Sequence, residues 1–304
     1  MLEYTRFYTR VHSNKTSDNN KKGVKMREID AIKSNNFKFN KKFGQNFIFD
    51  KNLLNAIIDD SQITKNDDVL EIGPGAGTLT KVIASKARKV VSYEIDTNLK
   101  PILEENLQGV NNSDIVFADA LKTDIKDIES NFDGEYKIVA NLPYYITTPL
   151  IFKFVQETKK VKSMSIMVQK EVGDRLTAKA GDDEYGSISA VLDFYGNVKI
   201  LRNVPRRMFV PAPNVDSCVV QIEFVKNKYN ANADTFEKIV KSAFLNRRKT
   251  LANNLSINFS VTKQQVYEML NMLGINEQAR GDSLNTSQFV EITKIFDKKG
   301  IKSK

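Results

Sequence analysis

Histidine and cysteine occur once each in this 304-residue chain, and tryptophan not at all. The lone Cys218 excludes an internal disulfide and any cluster of thiolate metal ligands. It sits in the apolar run SCVVQIEF, as a small core residue would. The lone His12 lies in a polar leading stretch, so the folded part has no imidazole to serve as base or zinc ligand. Ser-His-Asp hydrolases and most zinc enzymes are thereby set aside, and no metal site is expected. No apolar run approaches the roughly 18 residues of a membrane helix. The opening MLEYTRFYTRVHSNKTSDNN also lacks the apolar core of a secretory signal. Arg6, Arg10 and neighbouring hydroxyls faintly suggest an organelle transit peptide, against which stand Glu3 and Asp18. Residues 1–36 read instead as a polar, disordered extension, with Met26 an alternative start, and the expected location is cytoplasmic.

What is present is distributed unevenly. Hydrophobic residues make up 41% and charged residues 27%, the balance of a globular protein with a proper core. Residues 1–42 carry 11 Lys+Arg against 4 Asp+Glu, residues 43–197 carry 17 against 24, and residues 198–304 carry 18 against 9. An acidic centre is thus flanked by basic ends, a pattern that suits a catalytic body with polyanion-binding surfaces.

From residue 43 short apolar runs alternate with helical spacing. Leu53, Leu54, Ile57 and Ile58 recur as a helix face. VLEIG, KVVSYEID, DIVFADA and YKIVANLPYY read as strands, with TLTKVIASKA and TNLKPILEENL as helices between the first three. SMSIMVQ, NVKILRNV and SCVVQIEF can extend the sheet. This alternation predicts an α/β fold with a parallel, doubly wound sheet, which binds ligands beyond the carboxyl ends of its strands. Around Ala233 the pattern changes to helices alone, so the chain divides into an α/β domain over 37–228 and a small all-helical domain over 229–304, with NKYNANAD as linker.

The candidate chemistry sits at the strand ends. EIGPGAGTLT places Gly73, Gly75 and Gly77 between a strand and a helix, where absent side chains allow close approach of a ligand. The third glycine falls one place early for the dinucleotide fingerprint. Glu94 ends the next strand, where an acid accepts hydrogen bonds from ribose hydroxyls, and Asp119 ends the third, where a carboxylate can accept from an adenine amino group. Together these make a nucleoside pocket, compatible with either NAD or S-adenosylmethionine.

The stretch VANLPYYITTP separates the two. An exocyclic adenine nitrogen is a poor nucleophile because its lone pair is delocalised into the ring. An amide oxygen from Asn141 and a backbone carbonyl beside Pro143 can accept its hydrogens and favour tetrahedral geometry. Tyr144 can stack on the base held out of its helix and stabilise positive charge passing to the nitrogen. A sulfonium donor needs no strong base, which suits a chain without a usable histidine.

NLPYYITTP resembles the [DNS]-P-P-[YFW]-type motif of amino-methyltransferases in the N-L-P-Y form of rRNA adenine dimethyltransferases. KKFGQNFIFD, EIGPGAGTLT, YEID, FVPAPNVDS, AFLNRRKTLANNL and RGDSL resemble the small-subunit (KsgA/RsmA) type of that family, over about Lys41 to Phe296. The resemblance implies a Rossmann-like class I S-adenosylmethionine-dependent methyltransferase domain followed by a small helical domain. The implied reaction dimethylates N6 of two adjacent adenosines in the 3′-terminal hairpin loop of 16S rRNA during small-subunit biogenesis. It implies Asn46, Ile48, Gly73, Gly75, Glu94, Asp119 and Asn141 as cofactor-binding residues. It likewise implies Asn141, Leu142, Pro143 and Tyr144 as the catalytic motif. Tyr145 stands where many relatives have Asn, and Ile48 replaces the commoner Leu.

Three basic clusters suit an RNA partner: Lys38, Lys41 and Lys42; Arg206 and Arg207; and Arg247, Arg248 and Lys249. The expected partner is small-subunit rRNA or the immature subunit, bound by a monomer. Rival readings are the large-subunit methyltransferase of macrolide resistance and a non-catalytic nucleic-acid-binding relative. A dehydrogenase lacks both the glycine spacing and a relay histidine. Arg248→Glu is expected to weaken rRNA binding and to lower the slope of affinity against salt by about one to two units. Filter binding across a salt series checks this; a variant with unchanged slope removes the cluster from the interface.

Overall fold

The computed structural model describes residues 46–304; the leading extension and Lys38, Lys41 and Lys42 lie outside the described residues. A short strand, β1 (Phe47–Ile48), comes first. Five further strands follow in βα alternation: β2 (Asp68–Ile72), β3 (Lys89–Glu94), β4 (Ser113–Phe117), β5 (Tyr136–Asn141) and β6 (Val161–Gln169). Then come β7 (Gly196–Val204), β8 (Phe209–Val210) and β9 (Ser217–Phe224). Seven of these form one sheet in the order β4-β3-β2-β5-β6-β9-β7, while β1 pairs antiparallel with β8. Strands β4, β3, β2, β5 and β6 are parallel neighbours. The fold is the expected α/β, Rossmann-like one, followed by C-terminal helices.

Every residue of β2 is buried: Val69, Leu70 and Ile72 are apolar, Asp68 stands at its start and Glu71 lies inside it. The chain winds from β2 outward through β3 to β4, then returns to lay β5 on the other side of β2. Neighbouring strands that lead in opposite directions leave a crevice at their carboxyl ends. On one face, Leu54, Ile57 and Ile58 of helix Lys51–Asp60 and Val82 and Ile83 of helix Thr78–Lys86 pack against Val69, Val90 and Val139. Elsewhere Leu99, Ile102, Leu103 and Leu107 close over Ala76 and Phe47.

The compact units do not follow the division at residue 228. The first comprises the chain up to Lys170 with Ile200–Gln221; the second comprises Glu171–Lys199 with Ile222–Lys304. Specific contacts explain why residues 171–199 join the second. Phe194 stacks on Phe236 with centroids 4.1 Å apart, and Tyr185 Oη donates to the Leu284 carbonyl at 3.0 Å. The presumed linker is pinned as well: Lys228 Nζ reaches Asp193 at 2.9 Å and the Gly196 carbonyl at 2.8 Å. Helices Ala233–Ala243, Leu251–Asn258, Lys263–Met272 and Thr286–Lys299 complete this unit.

The acid inside β2 has a specific environment. Glu71 is fully buried; its Oε2 accepts from Thr80 Oγ1 at 2.6 Å and Ser92 Oγ at 2.7 Å, tying β2 to the following helix and to β3. Its Oε1 is buried without a hydrogen-bond partner among the described residues. Burial therefore favours the protonated form and pushes the carboxyl up from 4.5 to about 7, against the two hydroxyl donors. The unfolded chain releases this proton near 4.5 and the folded chain only near 7, so this group's stabilisation is complete below 4.5 and is lost as pH rises through about 7. Glu71→Gln is expected to remove that decline. Melting temperatures of both proteins between pH 5 and 8 check this: their difference should shift in the variant's favour as pH rises, and a constant difference would mean that the carboxylate is already ionised.

Candidate active site

The parallel register decides what meets at the crevice. Ile72 pairs with Tyr93 on one side and Ala140 on the other, so Gly73, Glu94 and Asn141 follow at three adjacent strand ends. Gly73 N donates to the Tyr93 carbonyl at 2.9 Å and its φ is +71°, a turn that glycine adopts without strain. At Gly75 a Cβ would lie 2.6 Å from Phe47 Cε1, so this position must stay bare for the aromatic ring to lie against the loop. Gly77 caps helix Thr78–Lys86 without a side-chain acceptor, and the first amides of that helix face the loop.

A cavity of about 250 Å³ opens at this point. Asn46, Ile48, Gly73, Gly75, Glu94, Asp119, Asn141, Leu142, Pro143 and Tyr144 all line it, so the structure brings together every residue nominated from the sequence for cofactor and catalysis. Gly77 is buried behind them. Arg206 and Arg207 form an exposed turn in the first unit, and Arg247, Arg248 and Lys249 an exposed loop in the second. Arg206 Nη1 donates to the Asn214 carbonyl, and Arg247 Nη2 to the Tyr185 carbonyl.

Each acid is held by backbone amides. Glu94 is 4% exposed; Oε2 accepts from Gly75 N at 3.1 Å and Oε1 from Asp96 N at 2.8 Å. Burial raises its pKa above the ordinary 4.5, and those amides oppose the rise. The carboxylate keeps acceptor capacity for a ligand hydroxyl beyond these amides. Asp119 does not end the third strand but lies two residues beyond β4; its Oδ1 accepts from Leu121 N at 3.0 Å, which fixes the carboxylate in the turn.

The β5 end is built from contacts far apart in sequence. Asn141 Nδ2 donates to the Asn46 carbonyl at 2.9 Å, leaving Oδ1 as an acceptor. The Pro143 carbonyl is occupied by Ile146 N at 3.1 Å and Thr147 Oγ1 at 3.4 Å, within a turn that starts helix Thr147–Glu157. The Leu142 carbonyl is the neighbouring acceptor that has no donor among the described residues. Tyr144 is half-buried, and its hydroxyl lies 2.8 Å from Ser217 Oγ. Tyr145, next along the turn, is 61% exposed and also lines the cavity. The sequence reading missed Phe47 and Ser217; the stretches GQNFIF and NVDS held them, without a signal for their contacts.

A bare glycine loop, two amide-bound acids, and two oxygen acceptors beside an aromatic ring can hold a nucleoside and present an amine to an electrophile. Comparison with known proteins agrees. The family model for ribosomal RNA adenine dimethylases matches residues 36–298. Ribosomal RNA small subunit methyltransferase A of Clostridioides difficile (strain 630) is 42% identical over 274 residues, 89% of this chain and 95% of that protein. The protein of the same name from Bacillus mycoides (strain KBAB4) is 42% identical over 275 residues, 88% and 94% of the two chains. Among solved structures, a dimethyladenosine transferase from Plasmodium falciparum superposes with a TM-score of 0.71 at 28% identity, over 83% of this chain and 98% of that one. The 23S rRNA methyltransferase ErmE shares the fold at a TM-score of 0.66 and 24% identity, over 83% and 100%.

Asn141→Ala is expected to cost at least about tenfold in the activity assigned to this site. It removes one acceptor and the bond from Asn141 Nδ2 to the Asn46 carbonyl. Steady-state kinetics check this, and an unchanged kcat would remove the amide from the site.

Proposed function

The chain belongs to the ribosomal RNA adenine dimethylase family, and from that premise we propose that it dimethylates N6 of two adjacent adenosines in the 3′-terminal hairpin loop of 16S rRNA. It is an rRNA adenine dimethyltransferase of the small-subunit type, a class supported by 42% identity to small-subunit enzymes over nearly the whole chain. The donor is S-adenosyl-L-methionine, and the substrate is the immature small subunit, met by a monomer in the cytoplasm. Among the described residues no helix is long and apolar enough to cross a membrane. The observation that carries the reading is the convergence of the glycine loop, Glu94, Asp119 and the N-L-P-Y residues on one cavity.

The residues present fit that donor. Glu94 accepts ribose hydroxyls, Asp119 accepts from the adenine amino group, and the backbone of Gly73 and Gly75 makes room for the chain between them. Asn46 and Ile48 close the pocket from β1. When bound, the donor supplies a methyl carbon made electrophilic by its sulfonium. Asn141 Oδ1 and the Leu142 carbonyl accept the two N6 hydrogens of the target adenine and draw its lone pair out of conjugation. Pro143 sets the turn that places Tyr144 against the base, whose flipping costs least in an unstacked loop. Charge that develops on N6 faces the Tyr144 ring, and the N6 proton then leaves to water. Arg206, Arg207, Arg247, Arg248 and Lys249 contact phosphates and supply salt-dependent affinity.

The direct test is transfer of radiolabelled methyl groups to immature small subunits, followed by nucleoside analysis. N6,N6-dimethyladenosine in the small-subunit RNA is expected; label confined to large-subunit RNA would assign the chain to the other branch. Tyr144→Ala should lower turnover by about tenfold or more while donor affinity by calorimetry stays within about twofold, because stacking on a base contributes roughly 1–3 kcal/mol. Donor affinity should also weaken on acidification, starting above the pH at which an ordinary glutamate titrates. Burial raises the Glu94 pKa, and protonation removes acceptors for the ribose. Calorimetry from pH 8 downward checks the sign; affinity independent of pH would exclude Glu94 from the contact.

A further inference from the structure

The two adjacent tyrosines that follow Pro143 are held differently. Tyr145 is 61% exposed at the cavity rim. Tyr144 is fixed at both ends. Its backbone lies in the turn Tyr144–Ile146, which is closed by the hydrogen bond from Ile146 N to the Pro143 carbonyl. Its hydroxyl meets Ser217 Oγ at 2.8 Å. Ser217 is completely buried and begins β9, a strand of the central sheet next to β6. Two residues further on, Val219 lines the same cavity. The serine therefore cannot drift toward solvent, and the phenol is tied to the rigid sheet rather than to its own loop.

We propose that Ser217 is a positioning residue for the target base, fixing the tilt of the Tyr144 ring so that the adenine stacks with N6 directed at its acceptors. The argument is one of geometry. Tyrosine has two side-chain torsions, and a backbone fixed at one end with a hydroxyl fixed at the other removes both. A ring so held offers a preformed plane to an incoming purine and avoids an ordering cost at the moment of stacking. The same ring without a tether would still be aromatic and still line the cavity, yet it would spread over several rotamers. The inference rests on the reading of the site given above and adds a residue that touches neither base nor donor. Its consequence falls on the reaction step more than on binding, because tilt matters most when the N6 lone pair must face the methyl carbon.

The test is a double-mutant cycle with Ser217→Ala and Tyr144→Phe, each of which deletes one oxygen of the pair. Each single variant should lower kcat about tenfold, with the KM for the immature subunit and the calorimetric affinity for S-adenosyl-L-methionine within about threefold of the parent. The double variant should be no slower than either single one. Ser217→Thr, which keeps an oxygen in place, should restore most of kcat. Losses that multiply in the double variant, or a Tyr144→Phe protein with full kcat, would overturn the tether. Should Ser217→Ala lower the melting temperature by more than a few degrees, Tyr144→Phe carries the cycle, since it removes only the hydroxyl. A parent protein that labels no rRNA would refute the underlying activity. Full activity in Tyr144→Phe beside an inactive Tyr144→Ala would refute the tether alone.

Discussion

The site depends on strand register. β2 lies between β3 and β5, with Ile72 opposite both Tyr93 and Ala140. Because these strands are parallel and end level, the residues just past them share one crevice. A slip of one residue would move a strand end by about 3.3 Å and turn its side chains to the opposite face. Glu94 would then point away from the Gly75 amide that it now accepts at 3.1 Å. The fully buried β2 and nearly fully buried β3 enforce the register, since a slip would move apolar side chains out of their packing.

Much of this was readable in advance because buried parallel strands announce themselves as apolar runs and glycine loops interrupt them. VLEIG and KVVSYEID end within two residues of β2 and β3, whereas YKIVANLPYY runs four residues past β5, which stops at Asn141 before the turn at Pro143. The contacts that finish the site were not readable. Asn141 and Asn46 are 95 positions apart, and Tyr144 and Ser217 are 73 apart; no local pattern marks either pair. The division of the chain was hidden for a related reason. Asn- and Ala-rich NKYNANAD has the composition of a linker, while Lys228 and Tyr229 both reach Asp193 at the end of an earlier helix.

Proton chemistry in this fold has moved into its carboxyls. The only histidine is His12, and the buried groups with raised proton affinity around the glycine loop are Glu71 and Glu94. They occupy neighbouring strands, and after burial itself the charge on Glu94 adds to the cost of ionising Glu71. Glu94 has two backbone amides to hold it ionised, whereas Glu71 has two hydroxyls and an unpartnered oxygen. One acid is therefore arranged to receive a ligand as an anion and the other to pack as a neutral group.

The pairing of β1 with β8 has a mechanical side. Phe47 lies opposite Val210 and Ile48 opposite Phe209, and the turn Arg206–Met208 runs directly into that ladder. Asn46 precedes the ladder's other rail and holds the Asn141 amide through its carbonyl. The turn that carries two surface arginines and the residue that holds the Asn141 amide thus adjoin the two rails of one small ladder. A change of register in that two-residue ladder would therefore displace the basic turn and the anchor of the amide together.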